Sequence, residues 1–440
     1  IGYRFFFFYR NVADNAPSAL GVWRAPESVT RSLEKDPVYN IGTTQFPSLE
    51  LLRTSDLGAP RKARPNDQDI DLDLTGKLDF RFGNNIDVQL SGNYNDKINR
   101  FTPSTGWSLL NWVNNPYQYS NTYRGNLRFT HRLGKQSSDD SADKSVSNFR
   151  NFSYTLILGY QNSKSRTEDV RHTNNLFNYG YFGKTLRTWE PVFGFLDPDD
   201  PDFEIDPFGH LGYREVIGEY TLDPNINPVL GSYNAINGVN VNGLRNQNIN
   251  TAWNNLYSNV GQVYDNFSKS DNDLYQLNLI TSFDLLPGGS EKGRHNIQFG
   301  MLYEQSINRN WNIAPFDLWN LAEIQANGHI NGLNKSVIID TMTVNGPFGP
   351  QVENIYQTGL NIESDNKFYR NVRDLVGKTD NEYINVWEVD PSQLRLDMFS
   401  ARELINRQDL IGYSGFDYLG NKLGTDVRFE DFFTSKDAEG

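Results

Sequence analysis

Strict alternation of apolar and polar residues between positions 71 and 94 is the feature that most constrains the fold of this chain. Outside one short interruption, even positions carry apolar residues or glycine, and odd positions carry charged or polar residues. A period of two is typical of a β-strand with one apolar face. The interruption, Gly83-Asn84-Asn85, has the composition of a tight hairpin turn. The segment therefore predicts two antiparallel strands that share an apolar face.

The same alternation recurs in five other segments, which raises the total to about seven strands. Their ranges are 3–10, 123–133, 152–160, 275–285 and 295–305. Each of these strands, taken alone, also suits a half-buried position in a soluble sheet. The connections between them favour a different architecture.

The connections alternate between short and long. The short or plainly polar ones are 83–85, 134–148 and 287–293, and the mostly long ones lie near 11–68, 99–121, 163–271 and 305–440. Outer-membrane barrels sort their connections in this way, with short periplasmic turns and long extracellular loops. We therefore predict an all-β fold, a partial antiparallel transmembrane β-barrel whose long extracellular loops contain short helices. The location that follows is the bacterial outer membrane.

The predicted strands imply a division of the chain and a larger parent structure. Residues 1–310 are expected to hold the barrel strands with their interspersed loops, and residues 311–440 to form a long extracellular loop region that leads toward further strands. An unpaired strand in lipid costs several kcal/mol for each exposed backbone group, so about seven strands must belong to a larger barrel. Because the chain opens at Ile1 without a signal peptide, we expect a processed product or a fragment.

If the strands form a membrane barrel, the apolar side of each strand is expected to face lipid. The residues expected to face lipid are Leu72, Leu74, Leu78, Phe80, Leu277, Leu279 and Phe299. In the opening stretch YRFFFFYR, the odd positions from Tyr3 to Tyr9 are expected to face lipid, and the even positions from Arg4 to Arg10 the interior. Phe6 and Phe8 do not suit a water-filled lumen. They predict that something, such as a plug, packs inside the barrel.

Composition excludes several other classes. The chain has no cysteine, which removes disulfides, thiolate nucleophiles and zinc–thiolate sites. A net charge of -13 argues against nucleic acid as a partner, since phosphates repel an acidic surface. No apolar run approaches the roughly 20 residues of a membrane-spanning helix.

The long loops carry aromatic residues and two helical patterns, at 26–37 and 316–328. Aromatic rings in such loops are candidate platforms for a sugar or peptide, and the alternative is that they form local loop cores or interfacial anchors. The ligand-contact candidates are Trp107, Trp112, Tyr117, Trp189, Trp311 and Trp319.

One loop gathers carboxylates between turn-forming prolines. Oxygen-rich clusters of this kind can bind Ca²⁺, although the spacing is not that of an EF-hand and a solvated acidic loop is the alternative. The candidate ligands are Asp197, Asp199, Asp200, Asp202, Glu204 and Asp206. We expect no required cofactor beyond this possible calcium ion.

Catalytic motifs do not occur. The chain contains no G-x-S-x-G, H-E-x-x-H or complete phosphate-binding loop, and its five histidines lack ligand spacing. The 54 acidic residues leave glycosidase-type carboxylate pairs open, because distance in space is not visible in a sequence. We expect the chain not to be an enzyme.

Three stretches carry a family resemblance: NAPSALGVWR, DLTGKLDFRFGNNIDVQLSGNYND and LYQLNLITSFDLLPGGSEKGRHNIQFGMLYEQ. They resemble the N-terminal barrel region of the Oar-like TonB-dependent receptors of Bacteroidota, over roughly the first 310 residues. The resemblance implies a larger outer-membrane barrel, a plug inside it, a carboxypeptidase-regulatory-like domain before the plug, and energy from TonB. The plug and the remaining strands are absent from this chain, and no ligand-binding residue can be carried over.

The expected function is therefore to form part of a TonB-dependent transporter that captures a large ligand at the cell surface and moves it across the outer membrane. Its expected partners are outer-membrane lipid, the TonB complex through the plug and, as a further option, a surface lipoprotein. The alternatives are a passive porin, which needs no TonB, and a secreted β-rich carbohydrate-binding or adhesin protein, which stays in water without detergent.

A substitution on the predicted lipid face tests the alternation. Leu78→Arg near mid-strand should reduce the free energy of folding into lipid vesicles by about 2–4 kcal/mol, because a cation there faces hydrocarbon. Lys77→Gln, the neighbour on the polar face, should have a mild effect. Equal effects of the two substitutions in a folding titration contradict the assignment of faces.

Overall fold

Alternating residues build most of the computed structural model, which describes residues 1–104, 107–133, 149–200, 207–223, 225–230, 260–287, 293–347, 349–362, 366–405 and 410–424. This part of the chain is mostly β, and its sheets are antiparallel. Within it, no helix combines the length and the apolar character needed to cross a membrane.

The strands are β1 (Gly2–Val12), β2 (Val38–Ile41), β3 (Thr44–Pro47), β4 (Asp69–Phe82), β5 (Ile86–Arg100), β6 (Tyr117–Leu133), β7 (Phe149–Glu168), β8 (Gly183–Phe195), β9 (Phe208–Leu222), β10 (Phe267–Leu285), β11 (His295–Ile307), β12 (Asn310–Ile313), β13 (Ile330–Gly346), β14 (Gly349–Leu360) and β15 (Ile411–Ser414). The helices are α1 (Glu27–Lys35), α2 (Trp107–Leu110), α3 (Leu176–Tyr179), α4 (Leu318–Asn327), α5 (Phe368–Val376) and α6 (Ala401–Ile405). Short 3-10 turns connect them.

One large sheet contains all seven of the predicted strands. Its order is β1-β4-β5-β6-β7-β10, and β10 then pairs with β11 along most of its length and with β12 near its start. The short strand β15 continues the sheet beyond β12. Gly83 has a φ of +60° in the three-residue turn that joins β4 to β5, a conformation that glycine adopts without strain. The predicted strands and this hairpin are confirmed.

The pairing register places the apolar residues of all seven strands on one face. A single row runs across the sheet through directly paired residues, in the order Tyr3, Leu78, Leu90, Leu127, Leu158, Leu277 and Tyr303. The central leucines of this row, Leu90, Leu127 and Leu158, are 39–48% exposed. We call this surface the apolar face, and it has no protein layer over it in the part of the chain that the structure describes.

All seven residues predicted to face lipid lie on the apolar face. Leu74 and Phe299 are exposed, and the other five are partly exposed. The odd positions of YRFFFFYR pair with the even positions of β4, so they belong to the same face, and Arg4 to Arg10 lie on the opposite one. The residues that were predicted to share a face therefore do so, and their contact with lipid stays a prediction.

Several strands extend beyond their predicted ends. β6 begins at Tyr117 and β7 ends at Glu168, whereas the alternation stops at Tyr123 and Tyr160. In β7 both faces of the extension are polar, and in β6 Asn121 separates Tyr119 from Tyr123, so the alternation weakens although the backbone pairing continues. Hydrophobic periodicity indicates that one face of a strand lies in an apolar environment. Two strands can pair through their backbones without such periodicity.

The long connections fold into a second layer of structure at one end of the sheet. We call the described residues of 13–68, 101–116, 169–266 and 308–424 the loop domain, because apolar residues from all four segments share one core. Its centre is aromatic: the rings of Trp319 and Trp387 stack with centroids 4.6 Å apart, and Phe182 lies 4.4 Å from Trp387. The two predicted helices in these loops are confirmed as α1 and α4.

Two hairpins, β8–β9 and β13–β14, lie in segments that were predicted to be loops with short helices, and that part of the prediction is wrong. In β8 the buried positions include Thr185 and Arg187, while Leu186 is exposed, so the usual sequence signal is inverted. In β13–β14 the pairing contains several register shifts, which break the alternation.

A buried carboxyl in the loop domain makes its stability depend on pH. Burial raises the pKa of Asp265 to about 7, opposed by the hydrogen bond from the Phe316 N–H at 3.0 Å and assisted by the nearby Asp317 carboxylate. Because this pKa is higher in the folded state, the folded state binds the extra proton, and stability falls as the pH rises from about 4 to about 7.

Asp265→Asn should remove this contribution, which has a slope of about 1.4 kcal/mol per pH unit in that window. Denaturant titrations in one detergent at several pH values measure the free energy of unfolding of the variant and of the parent protein, and hence the slope of each with pH. Asp199→Asn, at an exposed position, is the control and should retain the slope. An unchanged slope in Asp265→Asn contradicts the assignment.

Candidate ligand-binding groove

An open cavity of about 620 Å³ lies on the loop domain, within the size range of small-molecule sites. We call it the groove. Strands β8, β9, β13 and β14 form one side, and the end of α5 with the loop that follows it forms the other. The residues that contribute most to its chemistry are Arg187, Trp189, Tyr213, Gln357, Glu382, Tyr383 and Asn385.

Three aromatic rings form one wall of the groove. The rings of Trp189 and Tyr383 are nearly parallel, with an interplanar angle of 5° and centroids 4.9 Å apart. Tyr213 lies 5.8 Å from Tyr383, and its hydroxyl donates a hydrogen bond of 2.7 Å to the Tyr356 carbonyl oxygen. Burial raises the pKa of both tyrosines, which keeps their hydroxyl groups neutral. The wall is therefore apolar and uncharged.

Arg187 lies at the base of the groove with its side chain almost fully buried. Its Nη1 contacts Glu215 at 2.9 Å and Glu323 at 2.7 Å, so its charge is compensated inside the protein. Its Nε and Nη2 have no hydrogen-bond partner among the residues that the structure describes. Both nitrogen atoms are buried out of contact with solvent, so Arg187 contributes to the groove as a charge-compensated part of its base.

The loop after α5 is held in place before any ligand arrives. Gly377 has a φ of +71° and ends the helix, with its N–H donating to the Arg373 carbonyl oxygen at 2.7 Å. The Glu382 carboxylate accepts hydrogen bonds from the N–H and the hydroxyl of Thr379, at 2.8 and 2.9 Å. These bonds lower the pKa of Glu382, which is therefore ionised at neutral pH.

The buried side chain of Arg373 stabilises the loop after α5 from the protein interior. Its buried guanidinium donates to the carbonyl oxygens of Thr379 at 3.0 Å, Glu382 at 2.6 Å and Ala326 at 2.5 Å. Burial lowers the pKa of Arg373 to about 10, so the group still carries its charge at neutral pH. One side chain thus joins the loop to α4.

Further hydrogen bonds join the loop to both sides of the groove. The Asn327 side chain donates to the Ile384 carbonyl oxygen at 2.8 Å and accepts from the Ile384 N–H at 2.9 Å. The Thr358 hydroxyl donates to the Asn381 carbonyl oxygen at 2.7 Å, and Asn385 Nδ2 donates to the Thr185 carbonyl oxygen at 2.6 Å. The groove therefore has a fixed shape.

Of the six aromatic candidates, Trp189 alone lines the groove. Trp107, Trp311 and Trp319 are buried, and their ring faces contact protein, so they are part of the loop core and not ligand platforms. The indole N–H of Trp319 donates to the Phe177 carbonyl oxygen at 2.7 Å.

Trp112 and Tyr117 are partly exposed but lie away from the groove. The Trp112 indole donates to the Ala25 carbonyl oxygen at 2.9 Å, and Tyr117 stacks on Tyr119. Tyr383, Tyr213 and Arg187 are the groove residues that the sequence did not reveal. No local signal distinguishes them, because they are far apart along the chain and meet only through the packing of β8, β9 and the loop after α5.

The acidic loop is described in part. The Asp200 carboxylate pairs with Lys335 Nζ at 2.5 and 2.7 Å, and the Asp199 N–H donates to Asp197 Oδ1 at 3.0 Å. Asp202, Glu204 and Asp206 lie outside the described residues. In the described part of the chain, no group of three or more histidine or acidic residues converges as a metal site. Calcium binding by the complete loop stays a prediction.

Comparison with known protein families, with curated proteins and with solved structures finds no match to this chain. The resemblance to Oar-like TonB-dependent receptors stays a prediction from the sequence. Two surfaces of the molecule bear on its function, the apolar face and the groove.

A substitution of Arg373 tests whether its side chain stabilises the loop after α5. Arg373→Met should lower the free energy of unfolding by on the order of 3 kcal/mol, because three buried carbonyl oxygens lose a charged donor. Arg395→Met is a matched control at an exposed side chain and should change stability by no more than about 0.5 kcal/mol. Equal denaturation midpoints for the two variants contradict the role of Arg373.

Proposed function

We propose that this chain forms part of the wall and the surface-exposed capture region of a TonB-dependent outer-membrane transporter. The observation that carries the proposal is the apolar face, an exposed row of aliphatic and aromatic side chains that crosses seven paired strands. Soluble monomers rarely expose contiguous apolar patches larger than a few hundred Å². Contact with lipid hydrocarbon removes this surface from water.

Aromatic rows at both ends of the apolar face support the same reading. Tyr94 pairs with Tyr123 and Tyr160 with Tyr275, so four tyrosines form one row near the loop domain. A second row near the turns contains Phe129, Tyr154, Phe152, Phe283 and Phe299, with neighbouring rings 6.0–6.5 Å apart. Girdles of this kind flank the lipid-exposed band of outer-membrane barrels.

The distance between the two rows suits a membrane. Phe152 and Tyr160 are eight residues apart on β7, about 26 Å along the strand at roughly 3.3 Å per residue. A tilt of about 40° reduces this to about 20 Å along the membrane normal, comparable with an apolar band of about 25 Å. β7 has 20 residues, whereas a spanning strand needs about 9–11, so its second half extends beyond the membrane.

The second half of β7 is polar also on the side of the sheet that carries the apolar face. Asn162 donates to Asp271 at 2.6 Å and to Asp273 at 2.8 Å, and Arg309 pairs with Asp273 at 2.6 Å. All four side chains are buried, so this network begins where the tyrosine row ends and the loop domain covers the sheet, which suits a change from hydrocarbon to protein at the membrane edge. The loop domain then lies on the outside of the cell, where it can meet a ligand.

The opposite face of the sheet suits a filled barrel interior. Arg10 pairs with Asp69 at 2.8 Å, Asn95 donates to Asp71 at 2.6 Å, and Asn93 donates to Asp73 at 2.9 Å. On the same face, Phe6 and Phe8 are more than half exposed, which favours a plug packed against them over open water. A plugged barrel needs work from the inner membrane, because the outer membrane holds neither an ion gradient nor ATP.

The open edges of the sheet favour a barrel with further strands. Among the described residues, β1 pairs only with β4 and β11 only with β10. Unpaired backbone groups in hydrocarbon are costly, so both edges need partners from the rest of the parent protein.

Single-cysteine labelling tests the membrane assignment, since the chain has no native cysteine. Leu127→Cys and Asn126→Cys place adjacent labels on the apolar and the opposite face of β6. In the full-length protein in vesicles, a fluorophore at position 127 should be quenched by spin-labelled lipid, and one at position 126 should not. Equal quenching of both labels by an aqueous quencher overturns the membrane assignment.

Conductance separates an energised transporter from a passive porin. The full-length protein in a planar bilayer should show no steady open-pore current, because the plug fills the barrel. A steady current typical of an open porin overturns the TonB-dependent reading and leaves the membrane assignment in place.

A further inference from the structure

We infer that the groove is a binding site for a neutral oligosaccharide. The inference deepens the proposed function, on which it rests for the location of the loop domain outside the cell. It follows from four properties of the groove: its charge balance, its aromatic wall, its polar lining and its closed strand edges.

The charged side chains at the groove argue against an anionic ligand. The groove is lined by two cations, Arg187 and Lys378, and by two carboxylates, Glu382 and Glu388. Arg187 is further compensated by Glu215 and Glu323, and Lys378 lies 4.0 Å from Glu382. Carboxylates outnumber cations in this set, so a phosphate or a polyacidic chain gains no net attraction here.

The lining instead offers neutral groups that both donate and accept. Hydroxyl and amide side chains are contributed by Thr188, Gln357, Asn381, Asn385 and Gln393. Sugar hydroxyl groups also donate and accept, so they can use both halves of each amide.

The aromatic wall supplies the apolar part of the contact. Trp189 is partly exposed, and its stacking on Tyr383 fixes the plane of the ring. The apolar C–H face of a sugar ring can pack on such a surface while its hydroxyl groups reach the amides. A rigid aromatic side chain loses little conformational entropy when it makes this contact.

The closed strand edges argue against an extended peptide. Peptides that add to a sheet need free backbone groups along a strand. At the groove, the Tyr356 N–H donates to His210 Nδ1 at 3.1 Å, and the Tyr356 carbonyl oxygen accepts from Tyr213. On β8, the Thr185 carbonyl oxygen accepts from Asn385. These side chains occupy three backbone groups beside the groove that an added peptide strand would otherwise use.

The test uses the full-length protein in detergent on an array of neutral, acidic and phosphorylated oligosaccharides, with extended peptides on the same array. At least one neutral oligosaccharide should bind, and calorimetry with that sugar then gives the affinity. Trp189→Ala should weaken binding about tenfold or more, and Trp189→Phe should restore part of the loss. Trp23→Ala, an exposed tryptophan outside the groove, is the matched control and should bind like the parent protein.

Three outcomes overturn the inference: no neutral oligosaccharide binds at millimolar concentration, acidic sugars or peptides bind in their place, or Trp189→Ala binds as tightly as the parent while its melting temperature is unchanged. None of these outcomes affects the lipid-quenching or conductance results. A failure of the sugar assignment is therefore distinguishable from a failure of the proposed transport function.

Discussion

The pairing register of the large sheet is the constraint on which the rest of the structure depends. A shift of one residue at any strand pair would move that strand's leucines to the polar face, because side chains alternate with a period of two. Tyr3 pairs with Leu78 and Leu158 with Leu277, so the register is consistent from one edge of the sheet to the other. The same register aligns the tyrosine row and the inner polar pairs. Both faces of the sheet thus follow from one set of backbone hydrogen bonds.

The loop domain follows a different principle, in which buried polar side chains organise irregular backbone. Arg373 donates to three carbonyl oxygens of segments that form no strand with one another, and Glu323 accepts from both Arg187 and the Trp387 indole. Removing one partner of a buried, hydrogen-bonded charge is costly. These side chains keep the loop after α5 and the strand β8 at fixed positions, and the groove is the space that remains between them.

The seven long strands and the hairpin turn at Gly83 could be predicted because alternation is a local property of the chain. The ends of β6 and β7 could not, since β7 is polar on both faces beyond Tyr160 and Asn121 interrupts the tyrosines of β6. The hairpin β8–β9 was missed because buried Arg187 and exposed Leu186 reverse the ordinary pattern, and β13–β14 because register shifts break its alternation. In the groove, the tryptophan at position 189 could be nominated as a platform, but its partner Tyr383 could not.

What local sequence decides here is which side of each strand is apolar, because neighbouring residues on a strand point to opposite faces whatever the surrounding fold. What the three-dimensional packing decides is which tryptophans are buried and which one lines a cavity. Trp319 and Trp189 are the same residue type in two of the long connections, yet the first stacks on Trp387 inside the core and the second on Tyr383 at the surface. The difference depends on contacts between segments up to about 200 residues apart, such as the hydrogen bond from Asn385 to Thr185, and no local pattern encodes such contacts.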